Sequence, residues 1–444
     1  MKRYEAYKDS GIEWIGQIPQ GWAIMPLKYC LSLKGRIGWN GLKSDEFEEE
    51  SYAYLVTGQD FQSDVVDWSK CYQINKERYD EDPFIQLENG DLLVTKDGTI
   101  GKVAKVSNLD KPACLNSGIF VVKQTKGLFV QDYLYWLLVS NQLKEFVGFN
   151  STGATIAHLY QNVFENMPLI VPSIKEQHFI ASYLNIKVGQ IDLAISAINT
   201  QIDELKSYRQ SIISEVVTKG LNPDVPMKDS GVDWIGQIPR EWDILKLKRV
   251  AMIQTGGTPS TNNDRYWENA TFDWYTPGDF SDDTLYLFDS VRKISHIAIE
   301  ENAAKLFPPQ TVLMVGIGAT LGKVAFVNDE CSANQQINAL LFNDIMNPKY
   351  GAYFLSSKKN YVRSLSNSAT LPIINQTTTG DILICIPPYS EQSNLAAYLD
   401  RKMEEIDSSI KKLITQRDDL NALKQSVISE AVTGQIDVRN WNNN

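Results

Sequence analysis

The chain is poor in the side chains that most catalysis and most secreted frameworks rely on. Its 444 residues hold three histidines and five cysteines. The cysteines (Cys30, Cys71, Cys114, Cys331, Cys385) are odd in number, far apart and without a CxxC pair. That spacing indicates neither a disulfide framework nor a structural zinc site. His158, His178 and His296 lack metal-ligand spacing, so capping or surface roles are expected of them. No apolar run reaches the roughly eighteen residues needed to cross a bilayer, and the charged opening of the chain lacks the apolar core of a signal peptide. A cytoplasmic protein with buried thiols and no membrane partner is the expectation.

Positive charge is scarce too. The chain carries 43 Lys+Arg against 54 Asp+Glu, a formal net charge of −11. Broad, histone-like coating of nucleic acid is thereby excluded, because its affinity comes from distributed positive charge. A local basic surface is not. Hydrophobic residues at 43% and charged residues at 22% are the ordinary balance of a globular protein, and the length suggests about three domains of roughly 150 residues.

What the chain does have is an internal repeat. Lys8–Pro19 reads KDSGIEWIGQIP and Lys228–Pro239 reads KDSGVDWIGQIP, identical at ten of twelve positions. Trp22 and Trp242 follow at the same offset of 220. Gly101-Lys102-Val103-Ala104 corresponds to Gly322-Lys323-Val324-Ala325, and Ala154-Thr155-Ile156 to Ala369-Thr370-Leu371. Glu176-Gln177 matches Glu391-Gln392, and Ser214-Glu215 matches Ser429-Glu430, at an offset of 215. Each unit therefore has a similar beginning, a divergent middle and a similar end. The period far exceeds that of solenoids, and each unit is large enough for its own core.

The end of each unit reads as one long helix. Between Glu176 and Thr218 there is no proline, and only Gly189 interrupts a helical composition. Val188, Ile191, Ile195, Ile198, Ile202, Leu205, Ile212 and Val216 fall on three- and four-residue spacings, with Arg209 in the gap. Met403, Ile406, Ile410, Leu413, Arg417, Leu420, Lys424 and Val427 repeat the pattern. A heptad seam over four heptads predicts a coiled coil, and about 43 residues at 1.5 Å each span roughly 60 Å. Neither helix buries its stripe alone, so antiparallel pairing of the two is the simplest arrangement; the alternative is that each covers its own domain. Arg209, Arg417 and Lys424 read as register-setting polar positions or as contacts to partner subunits.

The middles, 52–125 and 251–342, contain short β-rich runs punctuated by Gly, Asn and Asp, as in mixed sheets. Short helices are predicted near Val130–Phe146 and Pro348–Leu365. Two related domains held at the ends of an antiparallel helix pair would suit two DNA half-sites more than one helical turn, about 34 Å, apart.

Catalytic motifs fail on inspection. The turn around Gly316, Gly318 and Gly322-Lys323 has Ile317 and Val324 where a phosphate loop requires Gly and Ser/Thr. Ile386-Pro387-Pro388-Tyr389 resembles the Asp/Asn-Pro-Pro-Tyr grip of amino-methyltransferases, but Ile386 cannot accept from an exocyclic amine. It and Val171-Pro172-Ser173 read as proline stops before the helices. No nucleophile–base pair stands out, and the chain reads as non-catalytic.

Taken together, the paired KDSG-x-x-WIGQIP openings, the long helices that begin at Glu-Gln and end in SE-x-V-T (SEVVTKG and SEAVTG), and the two variable middles resemble the specificity subunit of Type I restriction–modification systems. Arg36–Leu42 (RIGWNGL) in the first middle, and Thr255–Ser260 (TGGTPS) with Tyr266, Trp267 and Trp274 in the second, are family-like too. The resemblance covers essentially the whole chain. It implies an α+β fold: two mixed α/β target-recognition domains separated by two long antiparallel helices forming a coiled coil, with a pseudo-twofold internal repeat. The expected boundaries are 1–174 for the first recognition domain, 175–219 for the first helix, 220–390 for the second domain and 391–436 for the second helix. The resemblance further implies double-stranded DNA with a bipartite site as ligand, two methyltransferase (modification) subunits and restriction/translocase subunits as partners. S-adenosylmethionine, ATP and Mg are then expected on those partners, with no cofactor in this chain. A protein-assembly scaffold without DNA specificity is the rival, and a self-sufficient methyltransferase is disfavoured by the missing base grip.

Contact residues have to be argued locally. Lys34, Arg36 and Lys43 lie together without an acid; Lys96, Lys102 and Lys105 flank the first glycine turn and Lys323 sits on the second. Lys358, Lys359 and Arg363 occupy the acid-free stretch 356–376. These are candidate phosphate clamps. Arg36, Asn116, Arg265, Asn334, Gln335 and Gln336 carry donors and acceptors for major-groove base edges, against a turn-forming role for the amides. Trp14 and Trp234 recur in both openings and are expected to pack against the helices.

Overall fold

The structure, a computed structural model, describes residues 2–36, 42, 46–62, 64–150, 158–366 and 372–441. The chain divides into two compact units, Met1–Ile198 with Gln416–Asn444, and Asn199–Thr415. Each long helix contributes one part to each unit.

The repeated opening is a small hairpin. Tyr7–Asp9 pairs antiparallel with Gln17–Pro19, and Met227–Asp229 with Gln237–Pro239. The KDSG motif makes its turn. Asp9 Oδ1 accepts from the Gly11 N–H at 2.8 Å and Ser10 Oγ from the Ile12 N–H at 3.1 Å; Asp229 and Ser230 repeat both bonds at 2.9 and 3.2 Å. Such Asx and Ser turns are why these residue types stand there.

In the first unit the main sheet runs, in spatial order, Leu31–Lys34, Ile119–Gln124, Leu92–Thr95, Val103–Lys105, Val65–Val66 and Phe61–Gln62. A smaller sheet orders Ala113–Leu115, Ala53–Val56 and Tyr72–Ile74, the first pair parallel and the second antiparallel. The second unit repeats this with Ala251–Thr255, Ile337–Phe342, Thr311–Val315, Val324–Val327 and Tyr286–Leu287. Its smaller sheet orders Cys331–Ala333, Phe272–Tyr275 and Lys293–Ile294, with the same directions. The middles that diverge in sequence thus share one topology. Leu92–Thr95 and Thr311–Val315 are buried on both faces, so they show no polar alternation. The short helices Gln131–Val139, Asn141–Phe149, Pro348–Ser357 and Lys359–Ser364 fall where expected.

The long helices are Ile174–Lys219 and Tyr389–Val432. The first opens on a capping box: the Glu176 N–H donates to Ser173 Oγ at 3.3 Å and the Ser173 N–H to Glu176 Oε2 at 3.2 Å. The second starts directly after Pro387-Pro388, as the proline-stop reading requires. Both end at a glycine with positive φ, Gly220 (+76°) and Gly434 (+72°).

Burial follows the heptad. Ile202, Ile212, Val216, Met403, Ile406 and Ile410 are buried, and Ile191, Ile195, Ile198, Leu205, Leu413, Leu420 and Val427 are half-buried. Leu193, off the seam, is 75% exposed. In the first unit Asp192 meets Lys424 at 2.7 Å, while burial raises the pKa of Tyr183 and Glu430 lies near enough for its charge to add to the rise. In the second, Arg209 approaches Asp407 at 3.7 Å while Leu205 and Leu413 line one groove. Rising numbers on one helix meet falling numbers on the other, so the pairing within each unit is antiparallel. Lys424 and Arg209 are therefore cross-helix polar positions, as expected of register residues. Arg417 is not: its guanidinium pairs at 3.0 Å with Asp418 on its own helix.

The ring partners of the two repeated tryptophans lie on the short helices: Trp14 packs on Phe146 and Phe149, and Trp234 stacks on Tyr361 at 4.0 Å. Trp22 and Trp242 hydrogen-bond the first turns of the long helices, and Trp136 donates to Asn185 on the first of them at 2.7 Å. All five cysteines are buried and unpaired. Among the described residues no helix is long and apolar enough to cross a membrane.

Candidate nucleic-acid interface

In the first unit three strands of the main sheet meet at one end, where Leu31–Lys34 finishes, Ile119–Gln124 starts and Leu92–Thr95 finishes. Backbone hydrogen bonds lace the loops there. The Lys96 N–H donates to Gly118 O at 2.9 Å, the Leu159 N–H to Lys96 O at 2.8 Å, and the Asn116 N–H to Val56 O at 2.9 Å. The second unit makes the same three bonds from Gly316 to Gln336 (2.7 Å), Ile374 to Gly316 (2.9 Å) and Asn334 to Tyr275 (2.9 Å). The frame is common, and the side chains on it differ.

A matching turn flanks each frame. Asp60 Oδ2 accepts from the Thr57 N–H at 2.6 Å and from its hydroxyl at 2.9 Å; Asp279 Oδ2 accepts from Thr276 at 2.7 and 2.8 Å. Burial raises the Asp60 carboxyl above its ordinary value although the Thr57 bonds oppose it. The underlying pattern, TGQDF at 57–61 and TPGDF at 276–280, is legible in the sequence at an offset of 219 and was not among the matches that defined the repeat.

Among the candidate base readers, the surface holds few. Arg36 is corrected outright: it is 1% exposed, with Nε donating to Leu115 O at 2.9 Å and Nη2 to Cys114 Sγ at 3.4 Å. The guanidinium is spent on closing the sheet end, and Nη1 has no partner. Asn116 and Asn334 form turns, each side-chain oxygen accepting from a nearby backbone N–H, Ser117 at 2.7 Å and Gln336 at 3.0 Å. Gln336 in turn accepts from Asn334 Nδ2 at 3.1 Å. Gln335 is exposed and accepts from the Thr258 hydroxyl. Arg265 is exposed and paired with Glu301 at 3.1 Å.

The candidate clamps separate into two places. Lys34 is exposed at the sheet end, its ammonium 5.4 Å from the Phe84 ring centre. Lys96 lies over Phe120 at 4.9 Å, and burial lowers its pKa. Beside the long helices stand Lys102, exposed, and Lys105, bound to Asp132 at 2.7 Å. In the second unit Lys323 (14% exposed) and Lys359 both hold Asp282, at 3.2 and 2.6 Å. Lys358 lies over Trp234 at 5.7 Å, and Arg363 is exposed. Lys43 lies outside the described residues.

Sequence reasoning missed Lys305 and Gln376, which converge on Thr255, donating to its carbonyl at 3.0 Å and its hydroxyl at 2.8 Å. Only Gln376, at the end of the acid-free stretch, left a trace in the sequence. Among the described residues no group of His, Cys, Asp and Glu could hold a metal ion.

Two divergent side-chain sets on one repeated frame define a protein that presents two recognition surfaces. Residues 41–206 and 239–416 match the family described as Type I restriction modification DNA specificity domain. The chain belongs to that family, with two such domains, and its role is the recognition of DNA sequence. It is 24% identical over 96% of its length to the Type I restriction enzyme MjaVIII specificity subunit of Methanocaldococcus jannaschii, covering 95% of that protein. It is 20% identical to the StySPI specificity subunit of Salmonella potsdam, across 95% of this chain and 90% of that one. The fold is shared with a chain of a type I R-M system solved to explain complex assembly and conformational transition (TM-score 0.72, 17% identity, 94% and 99% coverage). It also matches the HsdS subunit from Thermoanaerobacter tengcongensis (TM-score 0.51, 17% identity, 94% and 98% coverage).

Proposed function

We propose that the chain selects a two-part double-stranded DNA site, each unit reading one part from its sheet end. The long helices set the spacing and dock two modification subunits, and restriction/translocase subunits join the assembly. S-adenosylmethionine, ATP and Mg act on those partners, in the cytoplasm, while this chain contributes sequence choice. The observation that carries the reading is the repeated backbone frame with different side chains: Lys96 and Gly118 in one unit stand where Gly316 and Gln336 stand in the other. Identical frames would dock on DNA alike, and different base-edge partners would then select different sequences. Relatives named as specificity subunits of Type I restriction enzymes support the partner set.

Mapping of methylated adenine in a host that expresses the chain with its modification subunit tests this. The expected result is one motif made of two unlike blocks with a fixed gap. A genome without any two-block motif, or a complex whose DNA binding ignores sequence, would overturn it.

A further inference from the structure

A cleft of about 1130 Å³ in the second unit lies between the long helix, the Gly322-Lys323-Val324 turn and the loop 281–284. Its basic groups converge on that loop. Asp282 Oδ1 lies 2.6 Å from Lys359 Nζ and Oδ2 lies 3.2 Å from Lys323 Nζ. The Asp282 carbonyl accepts from Arg209 Nη1 at 3.5 Å, and Asp283 approaches Lys206 at 3.7 Å. Lys323 belongs to the wall, at 14% exposure, whereas the Asp282 side chain is 63% exposed. Burial raises the Asp282 carboxyl, but the two lysines outweigh it and hold the group below the usual aspartate value. The Arg209 Nε is buried without a partner.

The first unit builds the same cleft from equivalent positions. Gly101-Lys102-Val103 stands for Gly322-Lys323-Val324, Lys424 for Arg209 and Asp192 for Asp407, the last two at the offset of 215 that relates the helices. Here Lys102 is exposed, and among the described residues it holds no ion pair. Asp64 and Asp192 also line this cleft, but Lys102 is unpaired among the described residues where its counterpart Lys323 is held by a carboxylate.

We propose that both clefts bind backbone phosphates of duplex DNA, openly in the first unit and, in the second, only after the phosphate displaces Asp282. The idea rests on the DNA-reading function above. A phosphodiester carries one negative charge and two free oxygens, so it can bridge Lys323 and Lys359 as the carboxylate does. The exchange leaves the charge of the cleft unchanged and returns Asp282 to water. The second cleft therefore adds less to affinity and to salt dependence than the first.

The test uses the full chain with its modification subunit and duplexes of about 30 bp, with and without the methylated motif, between about 50 and 200 mM salt. Asp282→Asn should tighten binding to both duplexes about three- to tenfold and steepen the log–log salt slope by about 0.9. Adding Lys323→Gln and Lys359→Gln should cancel that gain. Lys102→Gln should weaken both duplexes alike and flatten the slope by about 0.9. Glu330→Gln, an exposed acid at the other end of strand Val324–Val327, controls for net charge. The proposal falls if Asp282→Asn gains no more than Glu330→Gln, or if Lys102→Gln leaves the slope unchanged. Retained preference for the motif in those variants would spare the DNA-reading function; a wild-type complex indifferent to the motif would remove both.

Discussion

Trp22 donates from Nε1 to Glu176 Oε1 at 3.1 Å, and Trp242 donates to Glu391 Oε2 at the same 3.1 Å. Each bond ties the repeated opening to the first turn of a long helix, and both indoles are buried. A hydrogen bond to a charged group contributes about 1.5–3 kcal/mol. Trp22→Phe is expected to cost about 2 kcal/mol, and Trp22→Ala about 3–5 kcal/mol through the added cavity. Urea unfolding measures both. A loss below about 0.5 kcal/mol for Trp22→Phe would show that the bond contributes nothing.

The residue after each glutamate carries a second link. Gln177 Oε1 accepts from the Val130 N–H at 2.8 Å while Nε2 donates to Leu128 O at 2.9 Å and Pro172 O at 3.0 Å. Gln392 repeats this with Asn347, Ile345 and Pro387 at 2.7, 3.0 and 2.8 Å. Both side chains are fully enclosed, so a partner lost is not replaced by water. Gln177→Ala should cost about 3 kcal/mol or more. Gln177→Glu should cost at least as much, since a carboxylate faces two carbonyls without a proton to give. Equal stability of Gln177→Glu and wild type at neutral pH would contradict the assignment.

The helix ends differ in how tightly they seat. A Cβ on Gly434 would stand 2.4 Å from Pro19 Cγ, whereas one on Gly220 would meet Glu391 Oε1 and Trp242 at 3.3 Å. Both residues have positive φ, which costs an L side chain about 1–2 kcal/mol. Gly434→Ala adds a clash with a ring that cannot give way. Its loss in thermal stability should exceed that of Gly220→Ala, and the reverse order would refute the packing argument.

The helix seam was legible because heptad spacing is a local signal, and Val188 to Val216 follow it residue by residue. The glutamate–glutamine pair was legible as a repeat but not as a set of bonds, because its partners lie some 45 to 150 residues away. The equivalence of the two middles was hidden for another reason. Strands such as Leu92–Thr95 are buried on both faces, so they read as apolar runs without a period and say nothing about pairing. Arg36 misled because its surroundings in sequence are basic and polar, while the fold turns it toward Cys114 and Leu115. A charged side chain that closes a sheet end and one that meets a phosphate look the same in a sequence.

Asp407 gives a pH test of the helix pair. Burial raises its pKa above the ordinary aspartate value, with Arg209 opposing and the Asp283 charge adding to the rise. A carboxyl that binds its proton more tightly when folded contributes stability that is fully present below the unfolded value, about 3.9. That stability is lost as the pH rises through the folded value. Asp407→Asn has no such loss. The stability of Asp407→Asn relative to wild type should therefore improve from pH 3 to pH 7, read from urea midpoints at each pH. A constant difference would mean that Asp407 titrates as it does in water.

Gln335 offers the sharpest test of base reading. It is exposed on the turn that Asn334 holds from behind, and the Thr258 hydroxyl donates to its Oε1, which leaves the amide Nε2 free to donate. A glutamine reads adenine by accepting from N6 and donating to N7, and such a pair discriminates by about 1–3 kcal/mol. On DNA the Thr258 bond would have to yield to the base. Gln335→Ala should relax one position in one block of the methylated motif and leave the other block unaltered. Thr258→Val should free the amide and retain that preference. Asn334→Ala, by contrast, removes the turn's support and should lower stability as well as binding. Motif mapping of the three variants separates reading from folding: relaxation at both blocks, or none in Gln335→Ala, rules out Gln335 as a reader of the second unit.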